Sequence, residues 1–253
     1  MDVQFITDRG KIRETNEDAV GVFYNSSNQL LAIVADGMGG HQAGEVASEF
    51  AVSFIKEKWE NTKEIHSENE AEQWLEAKIE QMNTYIYERS LANPDYEGMG
   101  TTIVISICTV EYFTIGHVGD SRCYFLDDNQ FQLMTDDHSY VNELVRWGEI
   151  SPDDAEQHPR KNVLLRVIGT EETVNADIKT FTWKKGNKVC LCSDGLTNKV
   201  ADNEIEEMLR NKETDEKNLT ALTNLANERG GEDNISIIVI SHSLPEEVGD
   251  APC

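Results

Sequence analysis

Basic side chains are scarce in this chain. Lys and Arg number 22 against 47 Asp and Glu, a formal charge of −25 over 253 residues. An imbalance this large argues against non-specific binding to nucleic acid, where phosphate contacts need clustered cations, and against docking on anionic membrane. Its plain reading is solubility; its sharper reading is that some carboxylates hold cations. Cysteine is sparse too. Cys108, Cys123, Cys190, Cys192 and Cys253 form an odd set whose spacing matches no zinc motif. Cys108, Cys190 and Cys192 lie in apolar runs and read as small core residues. None of the six His stands beside an acidic cluster at metal-binding spacing, and His41 reads as a helix-start residue. No apolar run approaches the ~20 residues of a membrane span and no signal peptide is evident, so a reducing cytoplasm is the expected compartment. With five Pro, no Pro/Gly-rich linker and no repeat, the chain reads as one domain over residues 1–243. An acidic tail follows, from Leu244 to Cys253.

What is present is a set of short apolar runs with strand composition: Gln29 to Ala35, Thr101 to Cys108, Tyr112 to Val118, Arg122 to Leu126, Lys188 to Cys192 and Ile235 to Ile240. Helical patterns lie between them. Val46, Phe50 and Phe54 recur at four-residue spacing from Ala43 to Lys58, and Leu75, Ile79, Met82 and Ile86 form one stripe from Glu70 to Arg89. Ile205, Met208 and Leu209, then Leu219, Leu222 and Leu225, predict a second helix pair. Strands in the middle and helices in pairs do not alternate as βαβα. The expected fold is α+β: a central antiparallel β-sandwich flanked by pairs of antiparallel helices, four layers in the order αββα.

The informative feature is where acidic residues fall. Asp36 follows the first run, Asp120 the third and Asp194 the fifth, whereas Asp233 precedes the last. In an antiparallel sheet the end of one strand neighbours the start of the next, so four carboxylates are expected at one edge. Any one Asp-Gly pair is an ordinary turn. Four carboxylates gathered without cations would repel, and hard divalent cations make the same cluster favourable. An all-oxygen donor set favours Mg²⁺, Mn²⁺ or Ca²⁺ over Zn²⁺. Two such ions can lower the pKa of a shared water and clamp a phosphoryl group. Gly37 lets the backbone approach, so its carbonyl is a candidate ligand. Arg13, with Glu17 and Asp18 four and five residues on, offers a guanidinium fork that matches phosphate.

These residues carry a family resemblance. Arg13-xx-Asn16-Glu17-Asp18, Ala35-Asp36-Gly37-Met38-Gly39-Gly40-His41, Gly100-Thr101-Thr102, Val118-Gly119-Asp120-Ser121-Arg122, Ser193-Asp194-Gly195-Leu196-Thr197 and Gly231-Glu232-Asp233-Asn234-Ile235 occur in order. Together they resemble the metal-dependent Ser/Thr protein phosphatases of type 2C (the PPM family), in their bacterial PrpC/Stp branch. The resemblance implies a phosphoSer/phosphoThr hydrolase with two core Mn²⁺ or Mg²⁺ ions. Asp36 would bridge them, Asp194 and Asp233 would bind one, and the Gly37 carbonyl the other. Asp120 with Asp194 would hold a third ion. Glu17 and Asp18 would act through waters, and Arg13 would hold the substrate phosphate. A flap subdomain is implied over about 138–169, with Leu165, Val167 and Ile168 departing from the family pattern and Arg160 and Lys161 as a local basic pair. Met38 stands where some members place a His, so the general acid is left unassigned. The implied partners are phosphorylated proteins, among them a membrane-bound Ser/Thr kinase with PASTA domains, and the protein is expected to be a monomer. A phosphatase of anti-anti-sigma factors would lack the Arg13 block, and a phosphoprotein-binding pseudophosphatase would have lost metal aspartates. The residues present count against both.

Overall fold

In the computed structural model, residues 1–40 and 42–243 are described, so His41 and the tail from Leu244 to Cys253 lie outside the described residues. In chain order the elements are β1 (Asp2–Asp8), β2 (Asp18–Tyr24), β3 (Leu30–Met38), α1 (Ala43–Glu60), α2 (Glu68–Ala92), β4 (Gly100–Thr101), β5 (Ile103–Cys108), β6 (Tyr112–Val118), β7 (Arg122–Leu126), β8 (Phe131–Leu133), α3 (Tyr140–Arg146), α4 (Pro152–Glu156), β9 (Asp177–Thr182), β10 (Lys188–Cys192), α5 (Asp194–Thr197), α6 (Asp202–Arg210), α7 (Asp215–Glu228) and β11 (Ile235–Ser241). One sheet runs β1-β11-β10-β7-β8 and the other β2-β3-β5-β6-β9, with β4 paired to β3. Every pairing is antiparallel.

Strand alternation builds three apolar layers. Leu30, Ala32 and Val34 of β3 point into the sandwich, against Val189 and Leu191 of β10 and Ile238 and Ile240 of β11. Their neighbours Leu31, Ile33 and Ala35 point outward and pack under α1 and α2. On the far side Cys190, Cys192, Ile237 and Val239 pack under α6 and α7, with Leu209, Leu219 and Leu222. Period-2 side-chain alternation in strands buried on both faces gives the four-layer α+β arrangement that the sequence predicts. Cys108, Cys123, Cys190 and Cys192 are buried free thiols, and burial raises the Cys108 thiol to about 12.

The stripe Val46, Phe50 and Phe54 marks the predicted helix α1 but is not its face against the sheet. That face is Ala43, Ala47, Ala51, Ile55 and Trp59. Small residues let the helix axis come close to β3, and the larger Phe50 and Phe54 turn sideways onto Tyr85 of α2 at ring separations of 5.8 and 5.5 Å. Trp59 on Trp74 continues the seam, and the falling partner numbers show the pair to be antiparallel. One expectation changes: Asp36 lies within its strand and does not follow it. β3 continues to Met38 because Gly37 and Met38 pair with Thr101 and Gly100.

Between β8 and β9 lie the two short helices α3 and α4. Ser139 caps α3 by accepting from Asn142 N, and Ser151 with Asp154 forms a capping box on α4. This excursion leaves at His138, whose N–H donates to Gly119 O, and returns at Ile168, which exchanges two backbone hydrogen bonds with Thr101. Ile168 and Val167 are buried, and Leu165 is half exposed.

Candidate active site

The loop between β1 and β2 crosses from one sheet to the other and carries Arg13 and Glu17. It is fastened by a buried side chain at the start of β11. Asn234 Oδ1 accepts from Glu17 N at 2.7 Å, and Asn234 Nδ2 donates to Arg9 O at 2.8 Å and Thr15 O at 3.0 Å. Gly10 (φ 77°) passes so close to the Asp233 carbonyl that a Cβ there would collide with it. Across the site, Gly37 N donates to Glu17 O at 3.1 Å, and a Cβ on Gly37 would meet the Gly44 and Glu17 carbonyls. Ser48 Oγ donates to the same Glu17 carbonyl at 2.6 Å.

The acidic residues converge as antiparallel geometry requires. Asp18, first in β2, is in register with Asp36 of β3. Asp120 sits in the β6–β7 turn, Asp194 opens α5 after Ser193 at the end of β10, and Asp233 lies before Asn234 at the start of β11. Ser193 Oγ donates to Asp18 Oδ2 at 2.7 Å and thereby ties the two sheets together. Burial pushes the Asp36 carboxyl well above the usual carboxylate range, and the charges of Asp18, Asp194, Asp120 and Asp233 add to that. Burial also raises Asp18 to about 7, against the pull of the Ser193 hydroxyl. Asp120 rises to about 8 by burial and then by Asp194 and Asp137. Asp194 rises to about 6 by burial and then by Asp233. Glu17 is raised by burial, partly offset by Arg13. Arg13 is the cation of the cluster. Its Nη2 lies 2.9 Å from the Asp233 carboxylate and its Nη1 3.4 Å from Glu17 Oε2.

Two carboxylate oxygens, Asp18 Oδ1 and Asp194 Oδ1, are buried with no hydrogen-bond partner, whereas the second oxygen of each is held by Ser193 or by Asn198 at 2.9 Å. Lone oxygens of this kind are costly unless a cation or proton satisfies them. Among the described residues no three His, Cys, Asp or Glu groups already converge on one point at ligating distance. The fit to a hard divalent ion therefore rests on the all-oxygen donor set, the unpartnered oxygens and the mutual repulsion of the carboxylates, and on those grounds the residues fit.

All of the predicted residues, Arg13, Glu17, Asp18, Asp36, Gly37, Asp120, Asp194 and Asp233, fall at this end of the sandwich. Reading the sequence for chemistry passed over the residues that place them. Asn234 fixes the Arg13 loop. Thr102 N donates to Asp36 O at 2.8 Å, and Thr102 Oγ1 accepts from Asp36 N at 3.2 Å and shares a hydrogen bond with Ser121. His138 Nδ1 accepts from Gly119 N at 3.1 Å, beside Asp120. Asn234 and Thr102 sit within motif blocks, whereas His138 lies at the start of the segment read as the flap.

Comparison with known proteins agrees with this geometry. A family model described as Protein phosphatase 2C matches residues 11–238. The serine/threonine phosphatase stp of Listeria monocytogenes serotype 4b is 45% identical over 99% of this chain and 100% of its own length. The crystal structure of serine/threonine phosphatase Stp1 from Staphylococcus aureus superposes with a TM-score of 0.91 at 39% identity, over 96% of this chain and 95% of that one. The catalytic domain of the serine/threonine phosphatase PstP, solved in complex with two manganese ions, has a TM-score of 0.81 at 32% identity, over 94% of this chain and 96% of that one. Matched across nearly its whole length in sequence and in fold, the chain belongs to the protein phosphatase 2C family and is a serine/threonine protein phosphatase.

Proposed function

We propose that the acidic edge holds two Mn²⁺ or Mg²⁺ ions and that the protein hydrolyses phosphoSer and phosphoThr there. The observation that carries this reading is the pair of buried, unpartnered carboxylate oxygens on Asp18 and Asp194 within a mutually repelling cluster. Asp36 would contact both ions, Asp194 and Asp233 one of them, and the Gly37 carbonyl the other. Asp120 with Asp194 would hold a third, and Glu17 and Asp18 would contribute through waters. When bound, the ions supply a water of lowered pKa and neutralise charge on the transferring phosphoryl group.

The chain's own residues bind and orient. Arg13 presents a partly exposed guanidinium fork that would take two phosphate oxygens and stabilise the equatorial charge that grows as the P–O bond breaks. Asn198 and Ser193 each pin one carboxylate oxygen and so fix which oxygen faces the site. Met38, on the exposed end of β3, carries no proton to give, so the leaving alkoxide does not take its proton from that position.

The α3–α4 excursion, over about 138–169, is read as a flap within a phosphatase domain spanning 1–243. Its two legs are hydrogen-bonded to Gly119 and Thr101, which flank Asp120 and Asp36. The substrates are phosphorylated proteins, and a membrane-bound Ser/Thr kinase is proposed among them. A cytoplasmic, monomeric protein suits that role. No described helix is long and apolar enough to cross a membrane. Phosphate release from a phosphothreonine peptide, with Mn²⁺ and with excess chelator, tests the reading. Release is expected with Mn²⁺ in the wild type, lost in chelator and lost in Asp36→Asn. Equal release in chelator would remove the ions from the mechanism. A phosphorylated kinase domain left intact while other phosphoproteins are processed would remove the kinase.

A further inference from the structure

The sulfur of Met38 lies open to solvent at the acidic edge. We infer that this thioether is a peroxide-sensitive modification site and that its oxidation to the sulfoxide reversibly slows the phosphatase. The effect on activity rests on the placement of the reaction at the acidic edge; the reactivity of the sulfur does not.

Exposure sets Met38 apart. It is 39% exposed, whereas Met82 and Met99 are fully buried, Met134 is 7% exposed, and Met1 and Met208 are half-buried. The four described cysteines are buried free thiols, and burial raises each of them, so little thiolate is present to react. Among the described residues, Met38 therefore offers the most accessible sulfur. Its strand neighbours explain why. In register with it stands Gly100 of β4, which has no side chain to cover it, and the pairing of β3 with β2 ends at Asp36. Strand alternation also puts Met38 on the same face of β3 as Asp36, two residues earlier.

Hydrogen peroxide is the oxidant. A sulfur lone pair attacks one peroxide oxygen, the O–O bond breaks, an S–O bond forms and water leaves. The sulfur gives up two electrons and the peroxide takes them. An apolar side chain becomes a polar one whose oxygen carries partial negative charge. That oxygen stands beside carboxylates that already repel one another, in a site whose substrate is a phosphate anion. It should therefore oppose substrate binding more than the chemical step. A methionine sulfoxide reductase reverses the change with a dithiol: the oxygen leaves as water and the dithiol becomes a disulfide.

The test treats the metal-stripped full chain with hydrogen peroxide in chelator, removes the peroxide with catalase, and then assays a phosphothreonine peptide with Mn²⁺. Peptide mapping by mass spectrometry follows every methionine in the same samples. Met38 is expected to gain one oxygen atom before Met82, Met99 or Met134. In step with it, kcat/KM should fall by about tenfold, mostly through KM, the scale of one unmatched polar contact. Methionine sulfoxide reductases with dithiothreitol should restore it, and dithiothreitol alone should not. Met38→Leu should keep its own untreated kcat/KM through the same exposure. Another methionine oxidised first, full oxidation of Met38 with unchanged kcat/KM, recovery in dithiothreitol alone, or a loss in Met38→Leu equal to that of the wild type would overturn the assignment. An untreated wild type inactive on the peptide would instead strike the placement of the reaction, and the switch with it, while the mapping would still show which sulfur reacts.

Discussion

The sandwich interior and its acidic edge are built from the same strands and obey opposite rules. Inside, β3, β10 and β11 alternate apolar side chains between two layers, and residues such as Leu191 and Ile238 are fully buried among their own kind. At the end of those same strands, Asp36, Asp194 and Asp233 gather, burial raises the first two above the usual carboxylate range, and one oxygen each of Asp194 and the neighbouring Asp18 has no partner. The interior stabilises the fold without chemistry, and the edge weakens it in return for chemistry. A protein tolerates such a conflict where function demands it, so the difference itself marks the site.

The contrast can be broken at either end, and the effects should rank. Asp36→Asn should lower Mn²⁺-dependent kcat by about a thousandfold or more, the scale of losing a central electrostatic contact. In chelator the same variant should melt higher than the wild type, because it removes a repelled charge. A calorimetric melt with and without Mn²⁺ checks that reversal. Ile238→Ala should do the opposite: it should cost about 2–5 kcal/mol by chemical denaturation and leave kcat of the folded protein unchanged.

Asn234→Ala should fall between the two. It leaves Glu17 N, Arg9 O and Thr15 O without their partner, about 1–3 kcal/mol for a buried orphaned group. The freed loop should raise KM for phosphopeptide more than it lowers kcat, because Arg13 rides on that loop. Steady-state kinetics separate these two effects. The last effect concerns pH. The folded-state pKa values of Asp194, Asp18 and Asp120, at about 6, 7 and 8, lie above the ordinary carboxylate value. The folded state therefore binds these protons more tightly than the unfolded chain. That stability is complete below about pH 4 and is lost as pH rises through 6 to 8. In chelator, Tm should fall as pH rises from 5 to 8.5, and saturating Mn²⁺ should flatten the slope.

Much of this was legible in the sequence, for identifiable reasons. β5, β6, β7, β10 and β11 are continuous apolar runs, and α2 has a full stripe, so period and composition reveal them. The acidic residues were legible because each interrupts or borders such a run. β1, β2 and β9 were missed. β1 and β9 are half buried, with Thr, Lys and Asp among the apolar residues, so no run stands out, and the short apolar run of β2 is interrupted by Gly21. The sheet-facing side of α1 was not legible because alanines carry a weak apolar signal, although they allow a close approach to β3. β3 was cut short at Ala35 because Gly37 resembles a turn. Its partner is β4, a strand of two residues that no periodicity detects. The positioning roles of Asn234 and His138 depend on contacts across the fold that a linear reading does not contain.

The measurement closest to the central claim counts ions instead of turnover. Equilibrium dialysis or calorimetric titration of Mn²⁺ into the metal-stripped protein, wild type and Asp36→Asn in parallel, reads the acidic edge directly. At least two Mn²⁺ per wild-type chain, reduced to one or none in Asp36→Asn, is the predicted result. A wild-type chain that binds no Mn²⁺, or an Asp36→Asn chain that binds as many ions as the wild type with equal affinity, would contradict the assignment of these carboxylates.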